Sequence, residues 1–330
     1  MDAKLTDRQC RILPAGENAL GEAKAALLDG QTVAIPTETV YGLAADATNG
    51  EAVARIFESK QRPSFNPLIC HVSGIAMAET FASFDPLSRK LAAHFWPGAL
   101  TLVLPLKEGH AIHPLVTAGL DTVAVRAPKG FGAELIEAVG RPLAAPSANR
   151  SGRISPTTAQ AVADSLGDTI GLVIDGGPTQ VGVESTIIKV EESKIHLLRP
   201  GGVAAEDIEA AAGQKLTRAE ANAAIQAPGM LASHYAPNAA MRLNADHVEA
   251  GEALLGFGPE RIAGAEKAKA VLVLSETGDP VEAAANLFDY MGRLDASGAR
   301  CIAVEPIPLH GLGEAINDRL ARAAAPRETI

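Results

Sequence analysis

Apolar positions in the first two hundred residues alternate between helical and extended spacing. Helical patterns cover 17–29, 51–60, 86–95, 130–139 and 156–165. Gly30 closes the first of these helices, and the last begins with Ser155 as N-cap and Pro156 as first helical residue. Extended apolar runs predict strands at 32–36, 67–72, 99–106, 121–128, 170–176, 185–190 and 194–200.

Strands outnumber helices in this region, and several strands follow each other without a helix between them. A strictly alternating, doubly wound fold needs a crossover connection after each strand. We therefore predict the α/β class in an α+β-like form, a twisted mixed β-sheet with flanking helices.

A second pattern begins after a segment that is flanked by prolines, PGMLASHYAPNAA (228–240). Proline favours extended backbone before it and interrupts helices, so this segment is predicted to be an extended linker. Strands at 252–258, 270–275 and 301–306 and helices at 280–294 and 311–324 follow in β–β–α–β–α order. That order predicts a small Rossmann-like domain. The predicted division is a first domain at 1–203, a linker at 204–240 and a small α/β domain at 241–330.

Composition excludes several classes of protein. With 47% hydrophobic and 21% charged residues over 330 positions, the chain is typical of a soluble globular protein of about two domains. The longest apolar stretch falls short of the ~18 residues of a membrane-spanning helix, and the N-terminus lacks a signal-peptide core, so a cytoplasmic location is expected. Three scattered cysteines indicate reduced thiols. A net charge of −10 argues against a protein that coats nucleic acid.

Four segments place polar residues within or beside apolar strands. PTETVYGLAADA (36–47) and APSANRSGRISPTTA (145–159) are typical of turns. The second segment also leads into the N-terminus of a helix, where free backbone N–H groups can bind an anion. Lys60 and Arg62 flank a helix end and either complement the helix dipole or meet a polyanion. Arg126 lies in an apolar strand and needs an anion, which is either an internal carboxylate or a bound one.

Taken together, these segments resemble a known family. PTETVYGL (36–43), KQRPSFNPL (60–68), PSAN (146–149) and GVESTI (182–187) are similar to the YrdC-like, threonylcarbamoyl-AMP synthase pattern, and PGMLASHYAP (228–237) to its longer two-domain form. One departure is Ala44, which follows GL where glycine is expected. The general nucleotide signatures GxxxxGK[ST] and GxGxxG are missing, so a nucleotide would be bound by dispersed groups.

The resemblance implies an enzyme that makes threonylcarbamoyl-adenylate from L-threonine, bicarbonate or CO2, and ATP, with release of pyrophosphate. Mg2+ would arrive with ATP and take few protein ligands. The product would pass to a transferase complex that modifies tRNA. By the same resemblance, L-threonine is bound by Thr37, His71, Arg126, Ala145 and Ser185. The residues implied for ATP are Lys60, Arg62, Asn66, Thr122, Ser147, Ser155, Arg199 and Tyr235.

Two alternatives remain open at this point. The YrdC-like fold is also associated with double-stranded RNA binding, so the chain could be an RNA-binding or ribosome-maturation module, a role that its acidity disfavours. The linker carries Met230, His234 and Tyr235 where a plain spacer would be rich in Gly and Ser. It is therefore predicted to form a lid over the nucleotide, or else to dock the second domain on the first.

Replacing Arg126 tests the implied threonine site. Arg126→Ala should raise the concentration of threonine that the enzyme requires and have a weaker effect on ATP binding. The reason is that a forked, charge-assisted pair contributes roughly 1.5–3 kcal/mol and its loss falls on one substrate. Calorimetric titration of the folded variant with threonine measures this, and an unchanged affinity would remove Arg126 from the carboxylate role.

Overall fold

The computed structural model describes residues 10–218, 227–228 and 233–326. Part of the predicted linker, including Met230, therefore lies outside the described residues. Within the described part of the chain, no helix has both the length and the apolar character to cross a membrane.

The first two hundred residues form one large sheet with ten assigned strands, and an eleventh follows just beyond them. The strands are β1 (Arg11–Pro14), β2 (Val33–Ile35), β3 (Gly42–Asp46), β4 (Ile69–His71), β5 (Leu100–Pro105), β6 (Thr122–Arg126), β7 (Leu143–Ala144), β8 (Leu172–Asp175), β9 (Thr186–Glu191), β10 (Lys194–Arg199) and β11 (Leu216–Arg218). Their order across the sheet is β1-β8-β2-β3-β7-β4-β6-β5-β9-β10-β11. The sheet contains both parallel pairs such as β4 with β6 and antiparallel pairs such as β5 with β6, so the predicted mixed sheet is confirmed.

Helices flank this sheet, and those near 17–29, 51–60, 86–95, 130–139 and 156–165 correspond to the apolar stripes of the sequence, whereas the others were not predicted. They are α1 (Glu17–Leu28), α2 (Gly50–Lys60), α3 (Ile75–Ala78), α4 (Pro86–Phe95), α5 (Pro114–Thr117), α6 (Phe131–Val139), α7 (Ala159–Leu166) and α8 (Ala205–Ala212). Asn49 caps α2 by accepting hydrogen bonds from the backbone of Glu51 and Ala52. Gln61 then ends α2 in the left-handed region (φ 52°), which turns the chain sharply between Lys60 and Arg62.

The predicted start of α7 is wrong. The N-cap is Thr158, whose hydroxyl accepts the backbone N–H of Ala161, and the helix begins at Ala159. Tertiary hydrogen bonds hold the preceding residues extended, because the Pro156 carbonyl accepts the N–H of Tyr41 and the Ser155 hydroxyl donates to Glu184. Those contacts override the local capping signal.

The large sheet continues past the predicted boundary at residue 203. α8 packs against α4, and β11 pairs in parallel with β10 at the sheet edge. The sheet contains four strands that the apolar pattern missed, β1, β3, β7 and β11. The two-residue β7 carries too little pattern to detect, and β3 consists of small residues that become a strand by pairing with β2 and β7.

The C-terminal part forms a second, fully parallel sheet. Its strands are β12 (Ala240–Arg242), β13 (Glu252–Gly256), β14 (Val271–Val273) and β15 (Cys301–Val304), in the order β12-β15-β13-β14. Two long helices accompany it, α9 (Pro280–Ala296) and α10 (Gly313–Ala324). The predicted small α/β fold is thus confirmed, with the three-residue β12 added to the expected elements.

Candidate functional site

A small cavity of about 50 Å3 lies where the ends of several strands of the large sheet meet the linker. β4 ends at His71 and β6 at Arg126, and these two residues are direct partners in the parallel register. Of the residues implied for threonine, the cavity is lined by His71, Arg126, Ala145 and Ser185. Of those implied for ATP, it is lined by Arg62, Ser147, Arg199 and Tyr235.

Arg126 is buried and held from three directions. Its Nε donates to the Gly98 carbonyl (3.0 Å) and its Nη1 to the Thr39 hydroxyl (2.9 Å). Its Nη2 lies 2.8 Å from Oε1 of Glu38, but neither atom has the alignment of a hydrogen bond. An internal carboxylate therefore stands next to Arg126, while the Nη2 group keeps donor capacity for a second anion.

The Thr-Glu-Thr segment fits both of its sequence interpretations. Thr37 behaves as a turn residue, because its hydroxyl donates to the Val40 carbonyl (2.7 Å) and accepts the N–H of Thr39. Its side chain borders a neighbouring cleft of about 530 Å3 rather than the small cavity. Glu38 and Thr39, which lie in the PTETVYGL motif but were assigned no role from the sequence, are the residues of this turn that contact Arg126.

Lys60 and Arg62 both bind backbone carbonyls. The fully buried Lys60 donates its Nζ to the carbonyls of Ser147 (2.6 Å) and Asn149, so it fixes the loop that carries Ser147. Arg62 donates to the carbonyls of Asn66 (3.1 Å) and Pro67 (2.8 Å). Burial lowers the pKa of Lys60 well below its usual value, and the neighbouring charge of Arg62 lowers that pKa further.

Arg199 ends β10 and faces the segment before β9. It donates to the Ser185 carbonyl (2.8 Å from Nη2) and to the Pro228 carbonyl of the linker (3.2 Å from Nη1). Gly201, just after β10, allows the chain to approach the segment before β9 closely, since a Cβ at this position would lie 2.3 Å from the Glu184 carbonyl oxygen. The neighbouring Glu184 also lines the cavity.

The linker closes one side of the cavity. His234 and Tyr235 line it, and both are buried. Tyr235 packs against Phe288 of α9 with ring centroids 5.5 Å apart, and the N–H of Ala236 donates to the Gly152 carbonyl of the first domain. Contacts of the linker therefore reach both domains and the cavity at once.

Four more residues implied for ATP lie outside the cavity lining. Lys60 and Asn66 are buried and contact residues of the lining, Lys60 through the Ser147 carbonyl and Asn66 through Arg62. Ser155 donates to Glu184 and so is one contact away from the lining. Thr122 begins β6 at the opposite end from Arg126, about 13 Å away at the usual rise per residue. The roles of these residues stay predictions.

Several buried polar atoms around the cavity have no hydrogen-bond partner within the described part of the chain. They include Nδ1 of His71, Nδ1 of His234 and both side-chain polar atoms of Asn66. An unsatisfied buried polar group costs about 1–3 kcal/mol. Such a group is unusual in a folded protein, so a cluster of them indicates a place that binds a polar ligand.

Comparison with known proteins identifies the family. The Sua5_yciO_yrdC family model, described as "Telomere recombination", matches residues 25–201. The Sua5_C model, described as "Threonylcarbamoyl-AMP synthase, C-terminal domain", matches residues 203–325. The chain belongs to the Sua5 family. The resemblance predicted from the motifs is thereby confirmed.

Sua5 relatives are similar to this chain over nearly its full length. Threonylcarbamoyl-AMP synthase of Bacillus subtilis is 40% identical over 96% of this chain and 95% of its own. The Pyrococcus abyssi enzyme of the same name is 41% identical over 91% of this chain and 92% of its own. A crystal structure of P. abyssi Sua5 with L-threonine has a TM-score of 0.85 at 38% identity, covering 95% of this chain and 97% of that one.

The two buried histidines of the cavity predict acid sensitivity. Burial lowers the pKa of His71 and of His234 to about 3, so both are neutral in the folded protein. In the unfolded chain they take up protons near their ordinary pKa of about 6.5. Stability should therefore fall with pH from about 6.5 toward 3, by about 1.4 kcal/mol per pH unit for each histidine.

Chemical unfolding between pH 7 and pH 4.5 measures this slope. His234→Gln should reduce the slope of unfolding free energy against pH by the contribution of one histidine. His247→Gln, at an exposed histidine, should leave that slope unchanged. Equal slopes in the wild type and in His234→Gln would contradict the prediction.

Proposed function

We propose that the protein synthesises L-threonylcarbamoyl-adenylate from L-threonine, bicarbonate or CO2, and ATP. One observation carries this proposal. A single cavity brings together residues that the family resemblance assigns to two different substrates, on a chain that matches a threonine-binding Sua5 structure over 95% of its length. The product would serve a transferase complex that places the threonylcarbamoyl group on tRNA.

In this proposal, Arg126 binds the carboxylate of threonine. The Nη2 group turned toward Glu38 has no aligned hydrogen bond, so it can donate to a second carboxylate without breaking the bonds to Gly98 and Thr39. Glu38 lies 2.8 Å from the same Nη2 group, so it stands beside the place proposed for the threonine carboxylate. His71 is neutral, because burial lowers its pKa to about 3, and it offers the unpartnered Nδ1 to a polar group of the substrate.

Arg62 and Arg199 face the cavity as its two cations on the ATP side. They are suited to neutralise the charge that develops on the departing pyrophosphate. Lys60 contributes differently, since its Nζ holds the carbonyls of Ser147 and Asn149 and so shapes the loop beside the nucleotide. Magnesium enters as the ATP complex. The described residues hold no cluster of three or more His, Cys, Asp or Glu side chains arranged as a metal site.

The reaction requires positioning more than covalent chemistry. The neutral amino nitrogen of threonine bonds to the carbon of CO2 and loses one proton to solvent, and an oxygen of the resulting carbamate attacks the α-phosphorus of ATP while the bond to pyrophosphate breaks. With bicarbonate as the carbon source, one water molecule is also released. No enzyme group has to form a bond in these steps. Orientation and a fixed set of positive charges therefore account for the catalysis.

The linker must move for ATP to enter. The cavity holds about 50 Å3, whereas pockets for ligands of this size span roughly 300–1,000 Å3. His234, Tyr235 and Pro228 line the closed side, so displacement of the linker is the direct way to enlarge the space. This supports a lid that excludes water from a hydrolysable adenylate once it closes.

Pyrophosphate release by the purified protein tests the proposed function. Release from ATP should require both L-threonine and bicarbonate, because the attacking carbamate forms only from the two together. Coupled pyrophosphatase detection gives the rate, and mass spectrometry identifies the adenylate. Release that is independent of threonine and bicarbonate would point to a different activity.

Removal of the second domain tests the lid. A chain that ends at Arg218 keeps the complete large sheet, including β11, and should remain folded. Its adenylate synthesis should fall by at least about tenfold, because the nucleotide is left open to water and loses the contacts of the linker. Circular dichroism verifies the fold and pyrophosphate release gives the rate. A folded fragment with the full-length rate would show that the C-terminal third serves another purpose.

A further inference from the structure

Arg319 is a fully buried arginine that the second domain extends toward the candidate site. It lies on α10, and its Nε is 2.8 Å from Oε2 of Glu184, a residue 135 positions earlier in the first domain. Its Nη1 is 2.5 Å from Oδ2 of Asp318. Its guanidinium carbon lies 5.2 Å from the ring centroid of Tyr235. One side chain thus links the second domain, the linker and the lining of the cavity.

Glu184 is the residue through which this arginine can influence the cavity. Among the described residues that line the cavity it is the one acidic side chain, and the same lining contains Arg62, Arg126 and Arg199. Its two oxygens are both engaged, Oε1 by the Ser155 hydroxyl and Oε2 by Arg319. Burial alone would raise the pKa of Glu184, but the charges of Arg319 and Arg199 hold it at about 2, so the carboxylate is ionised.

An ionised carboxylate beside a phosphate site weakens the binding of phosphate unless its charge is neutralised. Left free, it would repel a triphosphate and would form an ion pair with the nearest cation of the cavity. Arg199 is close enough to affect the pKa of Glu184, yet it donates to Ser185 and to the linker carbonyl of Pro228 instead. With both oxygens of Glu184 occupied elsewhere, Arg199 remains available to a ligand.

We propose that Arg319 is a positioning residue for the nucleotide site, which holds Glu184 away from Arg199 and supports the ring of Tyr235. The inference rests on the proposed function and assigns the second domain a direct part in ATP binding. Arg319 itself does not line the cavity. Its effect on ATP passes through Glu184 and Tyr235, both of which do.

A purely structural role would have a different signature. If Arg319 only fastened the two domains together, its loss would lower thermal stability and affect both substrates alike. If Arg319 is a positioning residue, its replacement weakens the binding of ATP in particular, because the released carboxylate of Glu184 pairs with a cation that would otherwise bind phosphate. The two roles also differ in how they respond to removal of the Glu184 charge.

Steady-state kinetics of four variants separates these roles. Arg319→Met should raise the KM for ATP by about tenfold or more and leave the KM for threonine within about twofold. Arg319→Lys keeps a positive charge near Glu184 and should lie between the wild type and Arg319→Met. The double variant Glu184→Gln with Arg319→Met should bind ATP better than Arg319→Met alone, because the competing carboxylate is gone. Arg293→Met is the matched control, since Arg293 pairs with Asp289 on the exposed face of α9.

Each outcome bears on the inference. An unchanged KM for ATP in Arg319→Met, an equal rise for both substrates, or a double variant that is no better than Arg319→Met would overturn it. If Arg319→Met does not fold, Arg319→Lys still tests whether the KM for ATP rises while the KM for threonine does not. If the wild type makes no threonylcarbamoyl-adenylate, the proposed function fails on its own, and calorimetric ATP affinity of the same variants still tests the positioning role.

Discussion

Lys60, Arg62, Arg126 and Arg199 are all buried in or beside the lining of one cavity, and each must be stabilised there by partners that do not neutralise it. An isolated buried charge costs several kcal/mol, whereas a complete ion pair would neutralise the cation that the site requires. The protein satisfies both demands mainly with backbone carbonyls, from Ser147 and Asn149 to Gly98 and Ser185. Carbonyl dipoles stabilise the positive charge and leave it positive.

This solution explains why irregular segments surround the cavity. Carbonyls inside a sheet are already paired with neighbouring strands, so free ones must come from turns and from the residues just beyond strand ends. The loop at 145–149, the segment before β9 and the linker supply them. The two carboxylates close to the cavity, Glu38 and Glu184, stand beside arginines in arrangements that leave donors unpaired. The position of each loop therefore depends on the charge that it stabilises.

The sequence predicted the parts of the fold that depend on local pattern. β5 and β6 are runs of branched apolar residues and appear where expected, and the need of Arg126 for an anion followed from its apolar strand. The identity of that anion, Glu38, did not follow, because the pairing spans 88 positions and depends on how β6 packs against the turn after β2. Ser155 carried a good capping signal that a tertiary bond to Glu184 overrode. Arg319 and Arg322 look alike on one helix, and only the docking of the domains separates the buried one from the other.

Tyr235 adopts a backbone conformation that bulky residues rarely occupy, with φ at +63°. Such a left-handed residue costs roughly 1–2 kcal/mol relative to ordinary backbone geometry. The closed linker is thus held by its contacts with Phe288 and Arg319 against a local preference to relax. The packing of one aromatic ring therefore holds the backbone of this segment in a conformation that it does not favour by itself. Loss of that packing would leave the backbone at Tyr235 free to return to ordinary geometry, which would change the wall of the cavity that Tyr235 lines.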